Sequence, residues 1–147
     1  MNHITRLSLS LLLLRVSVFL VMAVWTLDKF VRPEHAARIF AHFYRIDGMG
    51  TFIIYGLGVL ELLVLTVFLL GLMKRWTYAL VLTFHAVSTL SSYKEYLTPF
   101  ENLNLLFFAA WPMLAACTTL YLLRDADTLS AVTHLKHPAA STHHLEG

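Results

Sequence analysis

The sequence predicts an all-α integral membrane protein, a four-helix bundle with a short amphipathic helix in its first loop. Three observations predict it. Hydrophobic residues make up 58% of the 147-residue chain, well above the share in an ordinary soluble domain. They gather into four segments of membrane length or close to it, at about 7–27, 51–73, 77–93 and 103–123. The connections between them are short, which leaves room for one transmembrane domain over residues 1–124 and a polar, disordered tail over 125–147.

Charge and cysteine usage exclude several classes. The formal net charge is +2 and no basic cluster exists, so no nucleic-acid partner is expected. Cys117 is the single cysteine. It permits no intrachain disulfide and no CxxC redox pair, and reads as a small buried hydrophobe in the fourth segment. No lipidation signal replaces the spans.

The first segment, Leu7–Leu27, follows Arg6 and resembles a signal peptide at its start. Its apolar run continues into WTLDKF without a small-x-small cleavage site, so a retained helix is expected. The loop from Asp28 to Gly50 has its own pattern. Pro33 suits a helix start, and Ala36, Ile39, Phe40, Phe43 and Ile46 then recur at helical period. Glu34, His35, Arg38, His42 and Arg45 lie towards the other face, with Glu34 and Arg38 spaced for an i,i+4 pair. Such a helix would lie on the membrane or cap the bundle. Asp47, Gly48 and Gly50 turn the chain into the second segment, Thr51–Met73.

Lys74, Arg75 and Trp76 alone separate the second and third segments, which therefore form an antiparallel hairpin. The third segment, Thr77–Tyr93, is the shortest and needs tilt or snorkelling to span. Tyr93, Tyr96 and Phe100 border the third loop, as suits the headgroup region. Trp111-Pro112 predicts a kink in the fourth segment, Leu103–Leu123. Ala109, Ala110, Ala115 and Ala116 would allow close approach there. Lysine and arginine divide evenly between the two sides. The Lys74-Arg75 pair in the shortest loop favours cytoplasmic N- and C-termini in a multi-pass protein.

Polar residues within the spans are the candidate site. Glu61 lies roughly 15 Å from one end of its segment and about 18 Å from the other, where a carboxylate is costly unless neutral, paired or wet. Arg15 lies at about 12 Å depth, close enough to predict an Arg15–Glu61 ion pair. His85, Ser88, Thr89 and Ser92 follow helical spacing and form one polar stripe. The buried polar cluster expected is thus Arg15, Glu61, His85, Ser88 and Thr89. One reading makes it structural, holding the helices in register. Another makes it a polar cavity for a headgroup, a quinone or a proton, with Glu61 and His85 as the binding candidates. A third directs it at partner subunits.

No cofactor is expected as a fixed component. A quinone is compatible with Glu61 and His85, whereas a bis-His haem needs a second intramembrane histidine. His35 and His42 stand about 10 Å apart along a helix, too far to share a metal alone. His134, His137, His143 and His144 fall in the tail, and no metal site is expected. No catalytic constellation of nucleophile and base, phosphate loop or paired carboxylates is found.

Several of these residues together resemble the DoxX-like branch of small four-helix membrane proteins, grouped with the methylamine-utilisation protein MauE. The resemblance lies in the early arginine of RLSLSLLLLR, the LDKF exit, YGLGVLELLVLTVFLLGLMKR with its central glutamate, and the asparagine-led NLNLLFFAAWPM. It covers residues 6 to 124. It implies a compact inner-membrane bundle from a family linked to quinone-coupled sulfur oxidation, thiol homeostasis and maturation of partner proteins. Glu61 matches the family's second-helix glutamate and Arg15 its first-helix arginine, while the absence of a dithiol departs from thiol chemistry. The function expected is a non-catalytic accessory or assembly subunit, with membrane lipids and a protein partner or a second copy as its contacts. The alternatives are a quinone-linked oxidoreductase subunit and a small lipid- or solute-binding transporter.

Overall fold

The computed structural model describes residues 3–129, and these are helical with no strand. Helix α1 spans His3–Val31. It stops there because Arg32 precedes a proline, which disfavours the helical conformation, and Arg32 takes φ −138° and ψ 65°. Helix α2, Pro33–Tyr44, starts on that proline, whose missing N–H is harmless at the first helical position. This is the amphipathic helix expected in the first loop. Ala36 is buried on its inner face, and the ring of Phe43 packs on that of Phe107. The expected Glu34–Arg38 pair is not among the ion pairs of the described residues.

Helix α3 covers Thr51–Leu69 and α4 covers Lys74–Ser91. Lys74, Arg75 and Trp76, expected to be the loop, are instead the first turn of α4. The turn comes earlier because Gly71 takes φ +68° and Met73 φ +46°, a left-handed conformation that glycine adopts without steric penalty. The third loop contains a short helix, α5, Tyr93–Leu97. Asn104 then fastens that loop, its side-chain amide donating 3.0 Å hydrogen bonds to the Thr98 carbonyl and hydroxyl.

The last long segment is in two parts. Asn104–Ala109 is a 3-10 turn segment, and α6, Ala110–Leu122, continues it. The change falls where the sequence predicts a kink. Pro112 lies in the first turn of α6, where its missing donor costs least.

Helices α1, α3, α4 and α6 touch in a ring, α1 on α3, α3 on α4, α4 on α6 and α6 on α1, and α2 lies against α1 and α3. The core follows from spacing. Ser8, Leu11, Arg15, Val18, Met22 and Thr26 recur at intervals of three and four along α1 and are all buried. Leu11, Val18 and Met22 meet Leu65, Phe68, Tyr78, Val81, Cys117 and Leu120 in one apolar cluster.

Three helical stretches are long and apolar enough to cross a membrane: His3–Val31, Thr51–Leu69 and Asn104–Leu122. Helix α4, the counterpart of the expected span 77–93, does not reach that apolarity, since its hydroxyls, His85 and two leading cations dilute it. The outer surface is itself apolar. Leu13, Leu20, Val24, Trp25, Leu60, Leu63 and Leu106 are among many large hydrophobic side chains left exposed. Exposed apolar side chains in such number mark a surface that meets a membrane or other protein.

Candidate functional site

Two ion pairs, one buried and one half-buried, join charged side chains of different elements in the ring of helices. The first is centred on Arg15 and Asp127. Arg15 is 1% exposed and Asp127 fully buried, and the guanidinium Nη1 donates to Asp127 Oδ2 over 2.7 Å. The same nitrogen donates to the Tyr78 hydroxyl at 3.1 Å, and that hydroxyl donates onward to Asp127 Oδ2. Arg15 Nη2 reaches the Leu129 carbonyl and Lys74 Nζ reaches that of Asp127. The hydroxyls of Ser8 and Thr128 share a 2.9 Å hydrogen bond beside them.

Lys74 and Tyr78 are one turn apart on α4, and so present both groups on one face. Asp127 follows α6 after a turn in which the Ala126 N–H bonds the Leu123 carbonyl. Residues 127–129 therefore fold back against α1 and α4. Burying a guanidinium and a carboxylate is expensive, and only a close, multiply hydrogen-bonded geometry offsets it. Here Arg15 Nε and Asp127 Oδ1 still find no partner among the described residues.

The second group lies further along α1. Lys29 Nζ is 2.6 Å from Glu61 Oε2, with the two side chains 14% and 19% exposed. Gly58 makes this contact feasible. A Cβ placed on it would meet the Phe30 ring at 2.8 Å and Lys29 Cβ at 3.4 Å, so only glycine lets α1 lie this close to α3. Glu61 is one turn beyond Gly58 on that same face. Tyr55 stacks on Phe30 with ring centroids 6.0 Å apart.

The expected Arg15–Glu61 pair is thus replaced by two separate pairs. Helix α1 continues past the apolar run to Val31, which carries Lys29 into the contact with α3 expected of Arg15. Arg15 and Lys29 are separated by about 21 Å of helix, and each has its own carboxylate. Asp127 falls within the expected tail; the rest of it, residues 130–147 with His134, His137, His143 and His144, lies outside the described residues. The signal that could have found it is the i,i+4 pair Lys74 and Tyr78, two polar groups on the face of α4 that needs a buried acceptor.

His85 is separate from both groups. Its Nε2 is 3.0 Å from the Ala110 carbonyl, which can only accept, so the proton belongs on Nε2. Two hydroxyls of the stripe below it are engaged within α4. Thr89 donates to the His85 carbonyl and Ser92 to that of Ser88, back-bonds that satisfy hydroxyls within their own helix. Ser88 itself is exposed. Cys117 is buried in the apolar cluster.

At the α2 end, Asp28 receives both Arg32 and His35, with His35 Nδ1 2.6 Å from Oδ2. His42 Nε2 lies 3.1 Å from Glu95 Oε1, which ties α2 to α5. The neighbouring Tyr96 phenol is pushed above its ordinary value, first by burial and then by the Glu95 carboxylate. Comparison with protein-family models, curated proteins and solved structures finds no match.

Proposed function

We propose that this chain is a DoxX-like four-helix protein of a bacterial inner membrane, with α4 as its fourth span and both termini cytoplasmic, and that it serves as a non-catalytic accessory or assembly subunit of a membrane complex. The observation that carries this reading is the way the intramembrane charges close on one another. Arg15 meets Asp127 and Tyr78, Lys29 meets Glu61, and His85 meets a backbone carbonyl. Groups engaged in this way hold helices in register. The less apolar α4 is compatible with spanning because Thr83, Thr89 and Ser91 bond carbonyls of their own helix and His85 turns towards α6.

A quinone-linked reaction would call for Glu61 and His85 at one ring site, and each already has another partner. The broad apolar exterior, least covered along Asn104–Leu122, supports contact with lipid and with the helices of a partner or a second copy.

Native mass spectrometry of the protein, extracted in a mild detergent from its own membrane, tests the reading. A second protein held in fixed stoichiometry supports an accessory subunit. A bare chain carrying a stoichiometric quinone would overturn it.

A further inference from the structure

Beside the α2–α5 contact lies an open groove of about 710 Å³, within the size range of small-ligand sites. We propose that this groove binds a phosphoryl group that carries a hydrogen-bond donor, supplied either by a phospholipid headgroup or by a soluble phosphate. The inference does not depend on the accessory-subunit reading.

Charge is the first argument. Arg38, Arg45 and Lys94 line the groove together with a single carboxylate, Glu95. None of the three cations takes part in an ion pair among the described residues. Arg38 has Glu34 one turn away on its own helix and still lines the groove without pairing with it. The groove is therefore net positive, and two of its three cations are guanidinium groups, whose planar forks suit phosphate oxygens.

The second argument is backbone geometry. Arg45 occupies the left-handed position that ends α2, at φ +59°. Glycine or asparagine is the usual residue there, because a side chain is penalised in that conformation. An arginine held against that preference, with its side chain lining the groove, is accounted for when the side chain is needed.

Glu95 supplies the third. His42 engages its Oε1, while Oε2 is buried with no partner among the described residues. That oxygen is shielded from solvent, and rotation of the Glu95 carboxylate presents it to a hydroxyl or ammonium beside the phosphoryl group. Tyr93 borders the groove and is largely exposed, as suits the headgroup level of a membrane.

The test uses the full chain in detergent micelles, titrated with dihexanoyl phosphatidylglycerol and separately with inorganic phosphate. Arg45→Gly is the decisive variant, since it relaxes the backbone and should melt no lower than the parent. Binding of phosphatidylglycerol that weakens at least tenfold in Arg45→Gly and in Arg38→Gln/Lys94→Gln identifies a lipid headgroup. The same loss seen with inorganic phosphate, which then displaces the lipid, identifies a soluble source. Equal affinity in parent and variants, or no binding of either probe, overturns the proposal.

Discussion

Asp127 Oδ2 lies 2.7 Å from Arg15 Nη1 across 112 residues of sequence, so the end of the described chain is fastened to the middle of its first helix. The pair does more than neutralise two charges. Through Tyr78 and Lys74 it also joins α4, and three elements share one buried polar centre. Removing any member leaves the others desolvated and under-bonded, which is the expensive state.

The docking of this segment is directly testable by cross-linking. Ser8 and Thr128 place their hydroxyl oxygens 2.9 Å apart, close enough for a sulfur bridge after modest adjustment. In a Cys117→Ser background, Ser8→Cys/Thr128→Cys should form an intramolecular disulfide under mild oxidation, read as a mobility shift on a non-reducing gel that reductant abolishes. A double variant that stays reduced while Cys-free controls fold normally would mean the segment is not docked.

The α1–α3 contact makes opposite predictions at two glycines two residues apart, on different faces of α3. Gly58→Ala forces a Cβ into the Phe30 ring and should destabilise by about 1–3 kcal/mol. Gly56 has nothing within 4 Å of an added Cβ, so Gly56→Ala should be neutral or stabilising by up to about 1 kcal/mol. Thermal unfolding in the same detergent compares them. Equal behaviour of the two would mean that α1 and α3 do not meet at Gly58.

Lys29 and Glu61 should behave as one unit. Glu61→Leu leaves an unpaired ammonium and should cost about 1–3 kcal/mol, a range lowered because both side chains keep some exposure. Lys29→Met/Glu61→Leu should recover most of that loss. If the double variant loses the sum of the two single effects, the residues are not coupled.

His85 tests structure against chemistry. Its bond to the Ala110 carbonyl fixes α4 against the start of α6, so His85→Phe should lower stability by about 1 kcal/mol and leave the bound partner in place. A variant as stable as the parent that has lost its cellular activity would instead put His85 in the working site.

These contacts show what was legible in the sequence. The amphipathic helix beginning at Pro33 follows from spacing and from proline chemistry, and it is present in the described residues. The buried status of Arg15 and Thr89 was legible too, but not the partner of Arg15. Ion pairs depend on register between helices, and that register is set by details such as Gly58 and the Gly71–Met73 turn. Asp127 was hidden for a further reason. Composition after Arg124 is polar and reads as solvated chain, while one carboxylate there answers a cation far upstream. The α2–α5 groove was equally invisible, because Arg38 looked satisfied by Glu34 on its own helix.

The claim that the buried charges hold the fold together is tested most directly by a double-mutant cycle on Arg15 and Asp127, measured by thermal unfolding of the purified chain. The account predicts losses of about 3–5 kcal/mol for Arg15→Met and for Asp127→Leu alone, with most of the stability restored in Arg15→Met/Asp127→Leu. Single variants as stable as the parent, or losses that simply add in the double variant, would contradict it.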